Sequence, residues 1–414
     1  MTKPEVINMG CRLNLAESHA LAQQLSGESN LVIVNSCAVT NEAVRQTRQA
    51  IRQARKRRPH ARIVVTGCAA QVEPDSFAAM PELDAVLGNA EKERPALFGH
   101  GLNERVRVSD IMAVRETAPH LATAFDGKTR AFVQIQTGCD HRCTFCIIPF
   151  GRGNSRSVPA GQLVEHIQSL VDTGCNEVVL TGVDVTSYGG DLPGAPNLGA
   201  LVERILHHVP ALPRLRLSSV DGVEIDDRLF ALLTQEARVM PHVHLSLQSG
   251  DDMILKRMKR RHTRAQAIDL VARLKTARPD IAIGADIIAG FPTENGAMFA
   301  NSVDIIDQCD IVHGHIFPYS AKTRTPAARM PQVISATIKA RAKALRDKVA
   351  ERRNAWLSAQ IGSTKNILVE KSCRNGHAED FALVALETDQ QPGAIITAQI
   401  TAAQNDRLLG TIRP

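Results

Sequence analysis

From residue 131 onward the sequence alternates six times between a short apolar run and a longer amphipathic stretch, which limits the available folds more than any other feature. The runs are AFVQIQ, EVVLTG, RLRLSS, HVHLSL, IAIGADII and IVHGHIF, with stretches such as QLVEHIQSLVDTG and LGALVERILHHV between them. Apolar runs of about four to eight residues suit buried strands, and the helical period between them suits crossover helices. Such repeats build parallel sheets, because a parallel partner must be reached by a crossover. Six units exceed a small flavodoxin-like sheet and fall short of a closed eight-fold barrel. The pattern predicts a partial six-stranded (βα)6 barrel over residues 131–340, with its site at the carboxyl ends of the strands.

The flanks follow other periods. Residues 1–117 carry EVINM, LVIVN, RIVVTG and DAVLG between helical stretches, which predicts an open α/β, Rossmann-like domain. Residues 358–414 carry NILVEK, ALVAL, AIITAQITAA and RLLGTI between Asn-Gly and Pro-Gly turns, which predicts a small β-barrel. A linker without period, 118–130, and a basic helix over 336–362 join the three regions. Hydrophobic residues make up 44% and charged residues 22%, as in soluble globular proteins. No run approaches the ~20 apolar residues of a membrane span. The opening MTKPEVINMGC has no basic segment followed by an apolar one, so a cytoplasmic protein with no membrane partner is expected. Nothing in the pattern demands more than a monomer. In a reducing compartment the nine cysteines are metal ligands, catalytic groups or core residues rather than disulfides.

Three cysteines, Cys139, Cys143 and Cys146, stand in TGCDHRCTFC directly after the first barrel run. Zinc would need a fourth ligand, and His141 is the nearest, but four ligands within eight residues are cramped. A four-iron cubane held by three thiolates leaves one iron open for another ligand. Upstream, Cys11 follows EVINMG, Cys37 follows LVIVNS and Cys68 follows RIVVTG. Each sits at the carboxyl end of a strand, where ligands bind in open α/β sheets. Any one of them alone would be read as a small buried hydrophobe. Three at matching strand ends point to a site. Cys175, Cys309 and Cys373 lie away from these motifs and are expected to be core thiols.

The C-x3-C-x2-C loop after the first strand of a partial barrel resembles the radical S-adenosylmethionine superfamily. GCRLNLAES, NSCAVTNEAV and TGCAAQ around the upstream trio resemble the amino-terminal domain of its methylthiotransferases. GHAEDFALVAL and DRLLGTI resemble the TRAM domain with which those enzymes hold substrate, so the resemblance spans nearly the whole chain. It implies that Cys139, Cys143 and Cys146 hold a catalytic 4Fe-4S cluster that binds S-adenosylmethionine. It implies a second 4Fe-4S cluster on Cys11, Cys37 and Cys68, with its open iron taking an exogenous sulfur. One S-adenosylmethionine would methylate that sulfur. A second would be cleaved to a radical that takes hydrogen from the substrate before methylthio transfer. An external one-electron reductant and a sulfur donor are implied with them. Correspondence with the family's strand ends places cofactor contacts at Gly182, Asp184, Ser218, Gln248 and Tyr319, with Ser219, Ser249, Phe317 and residues 286–294 beside them.

Three substrate classes occur in that family, and IIPFGRGNSRS at 147–157 is most like the threonylcarbamoyladenosine enzymes. Arg12 and Leu13 agree, whereas Val158 departs from the arginine often found there. The implied reaction adds a methylthio group to C2 of N6-threonylcarbamoyladenosine next to the anticodon, with a tRNA anticodon stem-loop as partner. The alternatives are isopentenyladenosine in tRNA, an aspartate of a ribosomal protein, or a non-catalytic RNA-binding iron–sulfur protein. Charge gives RNA uneven support. Residues 358–414 hold five Lys or Arg against six Asp or Glu, so the terminal module is not basic. Residues 45–62 hold eight Lys or Arg and no acid, with Arg45, Arg48, Arg52 and Arg55 on one helical stripe. That stripe suits a solvated face or a phosphate backbone. KRMKRRHTR at 256–264 is the second basic candidate for anticodon-stem phosphates, or else a solvated loop. At 3% aromatic residues, extensive base stacking is not expected.

Overall fold

Five parallel strands lie side by side in chain order at the amino-terminal end: β1 (Glu5–Asn8), β2 (Leu31–Ser36), β3 (Arg62–Gly67), β4 (Ala85–Leu87) and β5 (Val106–Arg107). The computed structural model describes residues 4–99, 104–115 and 129–412. Alternate residues of β2 serve opposite faces: Leu31 and Ile33 join one apolar cluster, Val32 and Val34 another. That two-sided burial is why the strand reads as an unbroken apolar run. The helix Asn41–Arg57 begins where the Thr40 hydroxyl accepts from the Ala43 amide, and it buries Val44, Thr47, Ile51 and Ala54. The four sequence-derived strands are present. The fifth is a two-residue edge too short to show in the pattern.

The barrel is open and parallel. Its strands are β6 (Ala131–Gln134), β9 (Glu177–Thr181), β10 (Arg214–Leu217), β11 (Ser219–Val220), β12 (His242–Gln248), β13 (Ala282–Ala289) and β14 (Ile311–Pro318). β6, β9 and β10 form one arc, and β11 to β14 form the other. β10 and β11 are one strand interrupted at Ser218, so the six units of the sequence stand as six staves. Between β6 and β9, the two-residue strands β7 (Gln136–Thr137) and β8 (Arg156–Ser157) pair antiparallel and close the cysteine loop like a drawstring. The helix Ser335–Ser358 packs along β14, where its Val349 occupies the space a side chain at Gly314 would need.

Five further strands close into a small barrel: β15 (Thr364–Val369), β16 (Asn375–Ala378), β17 (Leu383–Leu386), β18 (Ile395–Gln404) and β19 (Arg407–Ile412). Four were expected. Asn375 and Gly376, expected to form a turn, are instead the first residues of β16. Gly376 is there because a Cβ would stand 2.4 Å from the Ile367 side chain across the ladder. This barrel docks on the amino-terminal ends of the large barrel's strands. Glu177, fully buried, receives Arg130 at 3.0 Å and Arg216 at 3.2 Å. Arg216 and Arg214 donate in turn to the carbonyls of Glu379 and Asn366, and Arg130 bridges to Glu370 at 2.7 Å. The expected linker 118–130 lies outside the described residues except for its last two, Thr129 and Arg130, which both bind Glu370.

Both basic segments are largely tied down. Arg48 pairs with Glu73 (3.3 Å), Arg52 with Glu82 (3.7 Å), Arg55 with Asp84 (2.6 Å), and Arg45 with Glu42. The stripe lacks acids in sequence but meets them in space. In the second segment Arg260, Arg261 and Arg264 pair with Asp221, Glu224 and Asp304, leaving Lys256 and Lys259 exposed. No helix among the described residues is long and apolar enough to cross a membrane.

Candidate functional site

The chain order of the first sheet places the carboxyl ends of β1, β2 and β3 next to one another. Cys11 stands at the start of the helix Arg12–Gln24, Cys37 follows β2, and Cys68 opens the short helix Cys68–Val72. The turn into that last helix needs Gly67, whose φ is +93° and whose Cβ would lie 2.5 Å from the Ser36 carbonyl. Across from them stands the Cys139–Cys146 loop. Its entry is Gly138 (φ +72°), where a Cβ would strike the Asn154 carbonyl, and the Cys139 amide donates to the Gly153 carbonyl at 3.1 Å.

All six cysteines line one cavity of about 610 Å³ that extends from the carboxyl ends of the barrel strands down the lumen to His377 and Phe381. Gly151, on the helix after the loop, leaves only 3.1 Å between a would-be Cβ and the Cys68 Cβ, so the two cysteine groups are contiguous. Gly182, Asp184, Ser218 and Gln248 line the same cavity. Gly182 has a packing reason of its own, with the Gln136 carbonyl 2.9 Å from where a Cβ would be. Ser218 sits at the break between β10 and β11, and Gln248 ends β12 with φ +69°. Asp184 accepts from Ser187 (2.8 Å), contacts His141 (2.9 Å) and lies 3.7 Å from the Cys139 sulfur. Tyr319 is not among the lining residues; its ring packs against Phe291, at 5.7 Å between centroids, in a separate apolar cluster. Phe317 is likewise absent from the lining and is exposed.

Burial disfavours the thiolate form at three of the six cysteines. Burial, then the Cys68 thiol beside it, pushes Cys37 up to about 11. Burial pushes Cys146 up to about 12, against the pull of the Ile148 amide. Burial and the Asp184 carboxylate raise Cys139 as well. Crowded thiolates need a compensating polycation, and all nine cysteines are free of disulfides. Three sulfurs on each group with a shared interior therefore fit iron–sulfur ligation. Cys175 and Cys309 are buried core thiols as expected. Cys373 is not, because it occupies a half-buried surface turn with φ +61°.

Several lining residues were not among the sequence-derived candidates. Arg260 reaches the Cys143 sulfur at 3.9 Å. Arg152 donates to both oxygens of Glu17, at 2.7 and 3.2 Å, and to Asn14. Lys92 takes Glu17 from the other side at 2.7 Å. GCRLNLAES and IIPFGRGNSRS, which look like unrelated motifs, are thus joined by one buried ion pair. Farther down the barrel, Asp286 stands between His244 (2.9 Å) and His315 (3.2 Å).

With this geometry in place, the likenesses to known proteins are informative. Residues 133–306 match the profile of the radical SAM superfamily, and residues 3–88 match that of the uncharacterized protein family UPF0004. A threonylcarbamoyladenosine tRNA methylthiotransferase MtaB from Rickettsia prowazekii (strain Madrid E) is 48% identical over 407 residues, covering 97% of this chain and 96% of that protein. The protein of the same name from Bacillus subtilis (strain 168) is 32% identical over 422 residues, covering 95% of this chain and 93% of its own length. Among solved structures, the radical S-adenosylmethionine methyltransferase TsrM from Kitasatospora setae shares the fold, with a TM-score of 0.55 and 17% identity over 79% of this chain and 77% of that one. The chain belongs to the radical S-adenosylmethionine superfamily and, within it, to the family of sulfur-group transferases, the methylthiotransferases, that its relatives represent.

Proposed function

We propose that this enzyme adds a methylthio group to C2 of N6-threonylcarbamoyladenosine beside the anticodon of tRNA, using two 4Fe-4S clusters and two molecules of S-adenosylmethionine. Membership of the superfamily implies one cluster and the sulfonium cofactor; the second cluster rests on Cys11, Cys37 and Cys68. The observation that carries the reading is the single cavity shared by both cysteine groups. A methylthio donor and a substrate radical must meet within one chamber, since neither survives diffusion through water.

When bound, the cluster and cofactor supply one-electron cleavage of a carbon–sulfur bond, which reaches an unactivated C–H that no side-chain base could ionise. The chain's own residues do the positioning. Arg152, Glu17 and Lys92 lock the first sheet to the loop that follows Cys146 and so fix the separation of the two cysteine groups. Asp184, held by Ser187 and His141, offers an acceptor beside Cys139 for the cofactor's ammonium or ribose. Arg260, pinned by Asp221 at 2.8 Å, places positive charge beside Cys143. The small barrel contributes His377 and Phe381 to the far end of the lumen. The histidines and arginines that line the lumen offer hydrogen-bond partners that a threonylcarbamoyl group could use and an isopentenyl group could not. Nucleoside mass spectrometry of total tRNA from a deletion strain tests the reading. The 2-methylthio mark on threonylcarbamoyladenosine is expected to vanish and to return on complementation. An intact mark defeats the assignment.

A further inference from the structure

Four arginines line the cavity, and their partners divide them into two kinds. Arg152 is neutralised by Glu17 and Arg260 by Asp221. Arg12 and Arg353 have no carboxylate partner among the described residues, and the Arg353 Nε is buried without a hydrogen bond. The three carboxylates that line the same cavity are already taken: Asp184 by His141, Asp221 by Arg260, and Asp286 by His244 and His315. What holds Arg12 is aromatic. Its guanidinium lies 5.8 Å from the Phe132 ring centre, on β6, and 5.7 Å from that of Phe381, in the small barrel. A guanidinium in a partly desolvated lumen with no carboxylate at ion-pair distance is unfavourable, and an arriving anion relieves that cost.

We propose that Arg12, assisted by Arg353, is an anion subsite in the barrel lumen that takes the carboxylate of the N6-threonylcarbamoyl group and thereby selects the substrate base. The inference rests on the proposed reaction and adds the residues that recognise its substrate. A planar guanidinium clamped by two rings presents its donor fork in one orientation, which matches a carboxylate bidentately. An isopentenyl group would leave both cations unpaired, and discrimination of that kind is stronger than discrimination by apolar fit. Two other anions could seek the same cations: the carboxylate of S-adenosylmethionine and an RNA phosphate.

The test uses the cluster-loaded full chain under anaerobic conditions, as wild type, Arg12→Met, Arg12→Lys and Arg353→Met. Each is titrated by fluorescence anisotropy with an anticodon stem-loop carrying threonylcarbamoyladenosine, its threonyl methyl ester, or unmodified adenosine. Wild type is expected to bind the acid about ten- to a hundredfold more tightly than the ester, as befits a charge-assisted hydrogen-bonded pair. Arg12→Met is expected to bind acid and ester alike, and Arg12→Lys to recover part of the preference. An unchanged acid-over-ester ratio in Arg12→Met overturns the proposal, as does wild type that fails to discriminate. Equal weakening for all three stem-loops assigns Arg12 to phosphate, and weakened S-adenosylmethionine binding assigns it to the cofactor; either result also overturns it. If Arg12→Met loses iron through its neighbour Cys11, Arg353→Met decides, with a reduced acid preference in support and an intact one against. Turnover separates this idea from the reaction it rests on. Wild type that prefers the acid yet adds no methylthio group refutes the reaction and keeps the subsite, whereas turnover with an indifferent Arg12 does the reverse.

Discussion

Glu17 is a buried carboxylate held between two buried cations, Arg152 and Lys92, each at 2.7 Å. Glu17→Ala would leave both cations uncompensated, and chemical denaturation is expected to show a loss of about 3–5 kcal/mol. The cysteine groups separate by function in the same way. Cys139→Ala is expected to abolish formation of 5′-deoxyadenosine, whereas Cys37→Ala should retain it and stop sulfur insertion. Liquid chromatography of the small-molecule product and mass spectrometry of the nucleoside read the two outcomes independently, and the opposite pattern would exchange the cluster roles. Iron should fall from about eight per chain to about four when the upstream trio is removed. The cysteines were legible because their meaning lies in local spacing and in strand ends. Glu17 and Arg152 were not, because the pairing joins positions 135 residues apart and neither residue is unusual in its own neighbourhood. Arg260 was hidden in the same way: among many basic residues, only the fold shows which one faces Cys143.

At the scale of elements, the dock of the small barrel on the large one is electrostatic. Burial opposes ionisation of Glu177, but Arg216 and Arg130 outweigh it and hold its pKa down to about 2. Glu370 is held down to about 2 against burial in the same way, by His377 and Arg130. A depressed carboxylate contributes stability that is present above its ordinary value, near 4.5, and is lost as pH falls toward 2. Acid between those limits is therefore expected to loosen β16 before the core of the large barrel opens. Hydrogen exchange at Asn375–Ala378, followed from pH 5 to about 3, would show it, and equal protection across that range would refute it. The six staves of the large barrel were readable from their apolar runs. β16 was missed because Asn-Gly ordinarily signals a hairpin turn, and here steric demand from Ile367 decides instead. The Tyr319 ring stands apart from the cavity lining for a related reason. Strand ends converge as a set, but the aromatic side chain there follows the apolar cluster around Phe291 rather than the lumen.

Across the whole molecule, positive charge is abundant in sequence but mostly consumed internally. Lys256 and Lys259 are exposed on the rim-side segment, so their joint replacement by alanine is expected to lower the slope of log affinity against log salt for a stem-loop by about one to two. Binding measured from low to moderate salt checks this, and an unchanged slope would move the RNA footprint elsewhere. Net charge and composition could not have shown the difference, because ion pairing is a property of the folded surface. The lumen's wall is also assembled from distant stretches. Cys11 and Cys68 supply one side, the barrel the middle, and His377 with Phe381, stacked 4.6 Å apart, the far side. These residues leave the ribosome in that order. A nascent chain can therefore present all six cysteines well before Phe381 has been synthesised.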